Sequence, residues 1–422
     1  ADPIPAGWKA SNITPVGYTD LAEGGPAHKM TLKRVGDRWY MIIGHFWSPT
    51  WSVLDVTDPA NPRTVKVIKA SPNTRTTQVT MSGNILLTAT EARPGRDSPD
   101  AVGVTGTYIW DISDILNWKQ LAHIPSGPGG DHRNYYPGGK YAFISSDRPG
   151  YRSRILLIYD ISDPKNPKEV SRFAMPGQKA TDPQREGPLG FHGPAMPSPD
   201  GKMLVLGDAP AFINLDISDI AHPKLIGELK VTPPFFAGGE GLEGQTATHG
   251  ALPLWDRKLL IASDEFIREE CELYGPPLAG IIDNANPARP RLVSQFPRPV
   301  PPADAPYKDF CDKPGRFGPH NTNMEIHLPD VEKPGNLIYF TWFNAGLRVF
   351  DISEPRQPKE TGWFLPAAPT VRRAPTPREG LESSTQDVLV DSRGYIYITD
   401  YNLGIFVLKY TGPGQPAPTA KP

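Results

Sequence analysis

Residues 212–229 read FINLDISDIAHPKLIGEL: an apolar strand, an Asp-Ile-Ser turn, a proline-bearing corner and a second apolar strand. The same phrase recurs as WSVLDVTDPANPRTVKVI from Trp51, YIWDISDILNWKQLAHI from Tyr108 and LLIYDISDPKNPKEVSRF from Leu156. It returns loosely as AGIIDNANPARPRLVSQF from Ala279 and cleanly as LRVFDISEPRQPKETGWF from Leu347. The turn positions Asp55, Asp111, Asp160, Asp216, Asp283 and Asp351 lie 56, 49, 56, 67 and 68 residues apart. A last copy, GIFVLKY from Gly404, carries Lys409 where the aspartate would stand. Strand-borne self-similarity at a period of roughly 50–60 residues predicts a propeller or another closed repeat array.

Each phrase extends backwards to another strand: residues 39–44, 85–90, 141–146, 203–207, 259–263, 337–342 and 395–399. A Gly- or Asp-rich turn and one more short segment precede these strands, giving four strands per unit. Seven such units make an all-β, single seven-bladed β-propeller with four-stranded blades. The seventh unit ends after three strands, near Tyr410. A strand at about residues 11–21 (SNITPVGYTDL) is expected to complete that blade and close the ring, which removes exposed sheet edges. The propeller is expected to span residues 1–412, with 413–422 a disordered Pro-rich tail. The turn aspartates are read as structural, each capping its own turn.

Composition narrows the function. Lys+Arg 44 against Asp+Glu 46 gives a net charge of −2, with no basic run, so nucleic acid is not an expected partner. No apolar stretch reaches the length of a membrane span. The 50 prolines and 40 glycines fall mainly between strands, as turn chemistry requires. The two cysteines, Cys271 and Cys311, suit a disulfide in an exported protein, so a secreted or periplasmic location is expected. GEGLEG at residues 239–244 matches a dinucleotide fingerprint but lacks the strand–helix context that fingerprint needs.

Aligned on their first strands, the units begin AHKMTL, TQVTMS, DHRNYY, FHGPAM, THGALP, PHNTNM and TQDVLV. One register then holds His28, Gln78, His132, His192, His249, His320 and Gln386, taking five of the nine histidines. First strands line a propeller's channel, so five imidazoles are expected to converge on the axis. His28, His132, His192, His249 and His320 are therefore the candidate metal ligands, with His192, His249 and His320 foremost. Such a site suits iron or copper, with manganese or zinc as further choices. Glutamates precede the ring at Glu23, Glu186, Glu243 and Glu382, where they could orient imidazoles. The loop after the second strand adds His45, Glu91, Asp147, Asp208, Asp264 and Asp400. The residues placed in catalysis are Glu186, Glu243, His45 and Asp264. A repeated histidine can equally be repeated architecture that bonds only within its own blade. His123, His222 and His327 fall outside the ring register.

The Asp-Ile-Ser-Asp-Pro phrase resembles the LVIVD-repeat family of propellers over about residues 8–410. More distantly it is similar to the selenium-binding protein / methanethiol oxidase group. That similarity, and the four-histidine iron of carotenoid-cleaving propellers, imply a metal-dependent oxidoreductase acting on a small-molecule substrate. A manganese or zinc site would instead imply a lyase or hydrolase, as in propeller-type polysaccharide lyases. A binding or scaffold propeller and a metal store or sensor are the other classes. A monomer or small homo-oligomer is expected.

Overall fold

The computed structural model describes residues 1–21, 24–92, 103–183, 190–209, 211–230, 246–266, 278–373 and 380–415. Blade 1 shows the plan from the axis outward: Ala27–Val35, Arg38–His45, Thr50–Asp55 and Arg63–Lys69, each antiparallel to the next. Blades 2, 5 and 7 repeat it, starting from Arg75–Ser82, Thr246–Leu254 and Thr385–Val390. In blades 3, 4 and 6 the inner strand is broken. It survives as the bridges Asp131↔Ser146 and Tyr135↔Phe143 in blade 3 and Thr322↔Phe340 in blade 6. In blade 4 it is the short pair Gly190–Phe191 and Met196–Pro197. All seven second strands stand where the repeat put them. The only helical turns among the described residues are the 3₁₀ segments Trp255–Arg257 and Phe310–Asp312. No helix among them is long and apolar enough to cross a membrane.

The repeat phrase folds because its polar and apolar letters settle separate debts. The aspartate carboxylate accepts the backbone N–H two residues on, at 3.0 Å for Asp55–Thr57 and 2.8 Å for Asp216–Ser218. A second such turn follows at once, with Asp58 accepting from Ala60 and Asp219 from Ala221. Between the two, Val56, Ile112, Ile161, Ile217 and Ile352 bury completely or nearly so. The turn thereby anchors itself in the layer between blades.

Closure comes from the N-terminus. Ile13–Thr19 pairs antiparallel with Gly404–Tyr410, from Ile13↔Tyr410 to Thr19↔Ile405. Ile13 and Tyr18 pack with Leu337 and Tyr339 of blade 6 and Val388 and Phe406 of blade 7. The chain goes further than the sequence suggested: Lys9–Ser11 pairs with the outer strand of blade 6, Lys359–Leu365. Asn12, with φ 54, turns the backbone between the two blades, and its Nδ2 donates to Thr361 O at 2.7 Å. One terminus thus stitches two blades together. At the other end, residues 413–415 fold back on Tyr410, whose Oη donates to Pro413 O at 2.9 Å. Residues 416–422 of the expected tail lie outside the described residues.

Cys311 is disulfide-bonded, and the chain's other cysteine, Cys271, lies outside the described residues. Titration of the unfolded, unreduced protein is expected to find no free thiol; two free thiols would remove the bond. Deleting residues 1–23 removes both stitches together with the buried side chains of Ile13, Tyr18 and Leu21. At about 1.5–3 kcal/mol for each large apolar side chain, that loss approaches the whole stability of a domain. The truncated chain is expected to melt at least 15 °C below the full chain or to aggregate; an unchanged melting curve would show that closure does not depend on this segment.

Candidate metal centre

The ring histidines reach the axis because the inner strands carry a fault at that point. Pairing slips between Ala27 and Met30, between Thr248 and Gly250, and between Thr385 and Val388. These bulges leave His28, His249 and Gln386 as the extra residues, a device that re-aims a side chain. In the broken inner strands the same position holds His132, His192 and His320. Their N–H groups donate to Ser145 O, Gly207 O and Thr341 O at 2.8, 3.2 and 2.9 Å. Blade 2 corrects the sequence alignment by one residue. Val79 pairs with Thr88 and Gln78 with Ala89, so the bulged residue equivalent to His249 is Thr77, not Gln78. The ring is His28, Thr77, His132, His192, His249, His320 and Gln386.

Its five imidazoles form one arc. Ring centroids are 4.7 Å apart for His132–His192, 4.3 Å for His192–His249, 4.5 Å for His249–His320 and 5.8 Å for His320–His28. His132 Nε2 and His192 Nε2 lie 3.2 Å apart. Two nitrogens bound at about 2.0–2.1 Å to one ion would have nearly that separation. His192, His249 and Glu265 bring their ligand atoms within 4.8 Å of one another. Glu265 Oε2 is 3.7 Å from His249 Nε2 and 3.9 Å from His192 Nε2, and its Oε1 is 3.7 Å from His320 Nε2. These gaps exceed a hydrogen bond. They match donors disposed around a shared centre.

Hydrogen bonds behind the ring set which nitrogen looks inward. His132 Nδ1 bonds to Glu91, and His320 Nδ1 donates to Gln386 O at 2.6 Å. In each neutral ring that leaves the Nε2 lone pair facing the axis. Arg133 Nη1 sits 3.1 and 3.4 Å from the two ring nitrogens of His249. A donor on the lone pair of one nitrogen would be far from the other, so the guanidinium lies over the ring face or its Cε1 edge. Burial holds His28, His192, His249 and His320 well below the usual imidazole range and His132 down to about 4. Burial also pushes Glu91 up, but Arg75, His132 and Arg154 together outweigh it and keep the carboxylate well below its ordinary range. Arg75 and Arg154 reach Glu91 Oε2 at 2.7 and 3.0 Å.

Sequence reasoning missed Glu265 because it mixed two registers at the end of the second strand. Ile85 and Leu259 both pair with turn aspartates, Asp111 and Asp283. Six residues further on stand Glu91 and Glu265. The equivalent residues elsewhere are Phe46, Asp147, Ala209, Phe343 and Tyr401. Five of these seven touch a ring histidine: Glu91, Glu265, Phe46, Phe343 and Tyr401. One residue earlier the side chain turns to the other face of the sheet. There lie His45, Asp208, Asp264 and Asp400. His45 is fully buried and bonded on both nitrogens, to Gly25 O at 3.1 Å and Ser52 Oγ at 2.8 Å, away from the ring. Asp400 accepts from the N–H of Ser384 and Asn402 at 2.7 and 2.9 Å. Asp264 accepts from Leu278 N at 3.4 Å. Glu382 is ion-paired to Lys313 at 3.2 Å. Glu23, Glu186 and Glu243, with the 239–244 motif, lie outside the described residues.

Residues next to the ring form a buried ionic cluster. Lys29 Nζ meets Asp387 Oδ2 at 3.2 Å and Glu325 Oε1 at 3.7 Å, while Arg133 Nη2 donates to Asn321 Oδ1 at 2.9 Å. The site is a cup with a charged floor. A separate cavity of about 610 Å³ between blades 3 and 4 includes Tyr135, Phe143, Met196, Trp255 and His327 in its wall. Both nitrogens of His327 are bonded there, to Tyr135 Oη at 2.9 Å and Met81 O at 2.7 Å, so we place no chemistry in it.

Burial pushes the Asp264 carboxyl up to about 8 against one backbone N–H, from Leu278, that pulls it down. The folded protein therefore holds a proton there that the unfolded chain releases near pH 4, and stability falls as pH rises from about 4 to about 8. Asp264→Asn, neutral at every pH, is expected to raise the melting temperature at pH 8 and leave it nearly unchanged at pH 4. An equal effect at both pH values would show that Asp264 is not protonated in the fold.

No curated protein matches the sequence significantly. The LVIVD repeat model matches residues 138–175 and 329–365, each covering the three regular strands of a blade. Among solved structures, the β-propeller domain of Cps50 (Swd1) from Myceliophteria thermophila is 10% identical over 91% of this chain and 96% of that one, with a TM-score of 0.54. The periplasmic gluconolactonase PpgL of Pseudomonas aeruginosa is 12% identical over 96% and 98%, with a TM-score of 0.53. A Lactobacillus plantarum protein is 11% identical over 92% and 96%, at 0.52. Likenesses at such identities concern the fold alone. Together with the strand order, they identify the chain as a seven-bladed β-propeller carrying LVIVD repeats in blades 3 and 6.

Proposed function

We propose that this propeller is a metal-dependent enzyme whose ion is held on the axis and which oxidises a small organic substrate. The observation that carries the proposal is the convergence of His192, His249 and Glu265, with His132 and His320 alongside. Two imidazoles and one carboxylate with room for further ligands are the donor set of non-haem iron oxygenases, and added imidazole equally suits copper. A bound iron or copper ion with open positions supplies the activation of O₂. The chain's own residues do the rest. Glu91 and the Gln386 carbonyl fix the tautomers of His132 and His320, so that lone pairs meet the axis without rearrangement. The buried Lys29–Asp387–Glu325 cluster fills the axis on one side of the ring, and we take substrate to enter from the Glu265 side. The disulfide at Cys311 supports a secreted or periplasmic setting.

Plasma emission analysis of protein purified without added metal is expected to find about one iron or copper per chain. His249→Ala and Glu265→Gln are each expected to lower that content at least tenfold while the melting curve moves little, because both side chains face the cup and not a blade interior. Zinc or manganese in the wild type would move the chemistry to Lewis-acid elimination or hydrolysis. Wild-type protein that binds no metal, with His249→Ala sharply destabilised, would return the histidines to architecture.

A further inference from the structure

The register that carries Glu91 and Glu265 carries aromatic rings on the opposite side of the cup. Phe46, Tyr401 and Phe343 occupy it in blades 1, 7 and 6. Phe46 and Tyr401 lie 5.3 and 5.7 Å from His28, ring centroid to ring centroid, and Phe343 lies 4.5 Å from His320. The mouth is thus divided between an arc over blades 2 to 5 that carries the carboxylates Glu91, Asp147 and Glu265, with Ala209 in blade 4, and an aromatic arc over blades 6, 7 and 1.

Trp47 extends the aromatic arc. Its ring lies 4.0 Å from Phe46, edge-on, and 5.1 Å from Tyr401. Its backbone has φ 55, which a bulky residue adopts only under constraint. Strain of that kind, of order 1–3 kcal/mol, persists where the surroundings enforce it and clusters at ligand sites. The Trp47 Nε1 is buried without a hydrogen-bond partner among the described residues. Tyr401 is fully covered, whereas Phe46 and Trp47 are half-buried, so these two rings form the accessible face and Tyr401 backs them.

We infer that the substrate is a small neutral or anionic aromatic molecule, its ring seated on Phe46 and Trp47 and its polar group turned toward the His192–His249–Glu265 donors. This inference rests on the axial site being the reaction centre. An aromatic wall favours a flat π-system over a saturated one through stacked and edge-on contacts. It does not suit an ammonium ligand, because the Arg75 guanidinium already lies 4.2 Å from the Phe46 centroid and would repel it. A second guanidinium, Arg316, lies 4.2 Å from Phe343 on the other flank and is ion-paired with Glu265 Oε1 at 3.2 Å.

Phenol and cyclohexanol test this directly, since both are six-membered rings with one hydroxyl and only one is flat. Ligand-observed NMR titrations of the untreated protein are expected to show phenol binding about tenfold more tightly. Phe46→Leu and Trp47→Leu are expected to abolish the preference, and Trp47→Phe to retain most of it, with metal content equal to wild type in all three. Equal affinity for the two probes in the wild type, or a preference that survives both leucine variants, would overturn the inference. Repeating the titration after chelator treatment, with metal analysis alongside, separates the two ideas. A phenol preference lost in the leucine variants of a protein that never contained metal sinks the metal centre and leaves the aromatic subsite standing.

Discussion

Everything at the axis depends on a hydrogen-bonded ladder at the rim. Blades in a propeller are held by their neighbours, so the angle at which seven inner strands meet is defined only once the last blade is tied to the first. Here that tie is the pairing of Ile13–Thr19 with Gly404–Tyr410, reinforced by Lys9–Ser11 on blade 6. Imidazole centroids 4.3–4.7 Å apart, contributed by four separate blades, are a consequence of that closure. A donor set built from one blade could survive local loosening. A set drawn from blades 3 to 6 cannot, because a small opening of the ring spreads every donor at once.

The second constraint is local. A regular inner strand would present alternate residues to the channel and hide the others between blades. A bulge at the ring position breaks that alternation, which lets consecutive residues look inward. His28 with Lys29 shows the outcome, and so does Gln386 with Asp387: an upper ring that can hold a ligand, directly over a buried ionic floor.

This explains how far the sequence could be read. The blades were legible because the Asp-Ile-Ser turn is satisfied within five residues, and interactions that short leave a contiguous signature. The histidine ring was legible because it is a single letter repeated at the start of a strand. Thr77 was not, since a bulge shifts the count by one without changing any residue type. Glu265 was hidden by the same kind of one-residue ambiguity, with Asp264 beside it as an equally good carboxylate. Counting from the residue opposite each turn aspartate would have separated them, because ILLTATE and LLIASDE align without a gap. Lys9–Ser11 could not be read at all, as three residues on a sheet edge carry no pattern. Orienting groups were sought among glutamates ahead of the ring, whereas His132 takes a glutamate from the strand beside it and His320 a backbone carbonyl. A carbonyl leaves no trace in a sequence.

Two ways of orienting imidazoles give the centre an asymmetry that five equivalent histidines would lack. His132 leans on a full negative charge, itself held by two arginines, whereas His320 leans on a neutral carbonyl. A carboxylate behind an imidazole raises its basicity as a ligand more than a carbonyl does. The carboxylate-backed imidazole therefore stands in blade 3 and the weaker, carbonyl-backed one in blade 6, with the Glu265 carboxylate between them in blade 5. Next to that weaker side, around His28, Phe46 and Tyr401 crowd in place of any carboxylate. An ion held by His192, His249 and Glu265 would lie on the carboxylate side of the ring, across from the aromatic wall. The polarity of the mouth thus follows from one choice repeated around the ring, which residue stands six places beyond the strand's first pair; that choice also sets the tautomer of His132, whereas the Gln386 carbonyl sets that of His320.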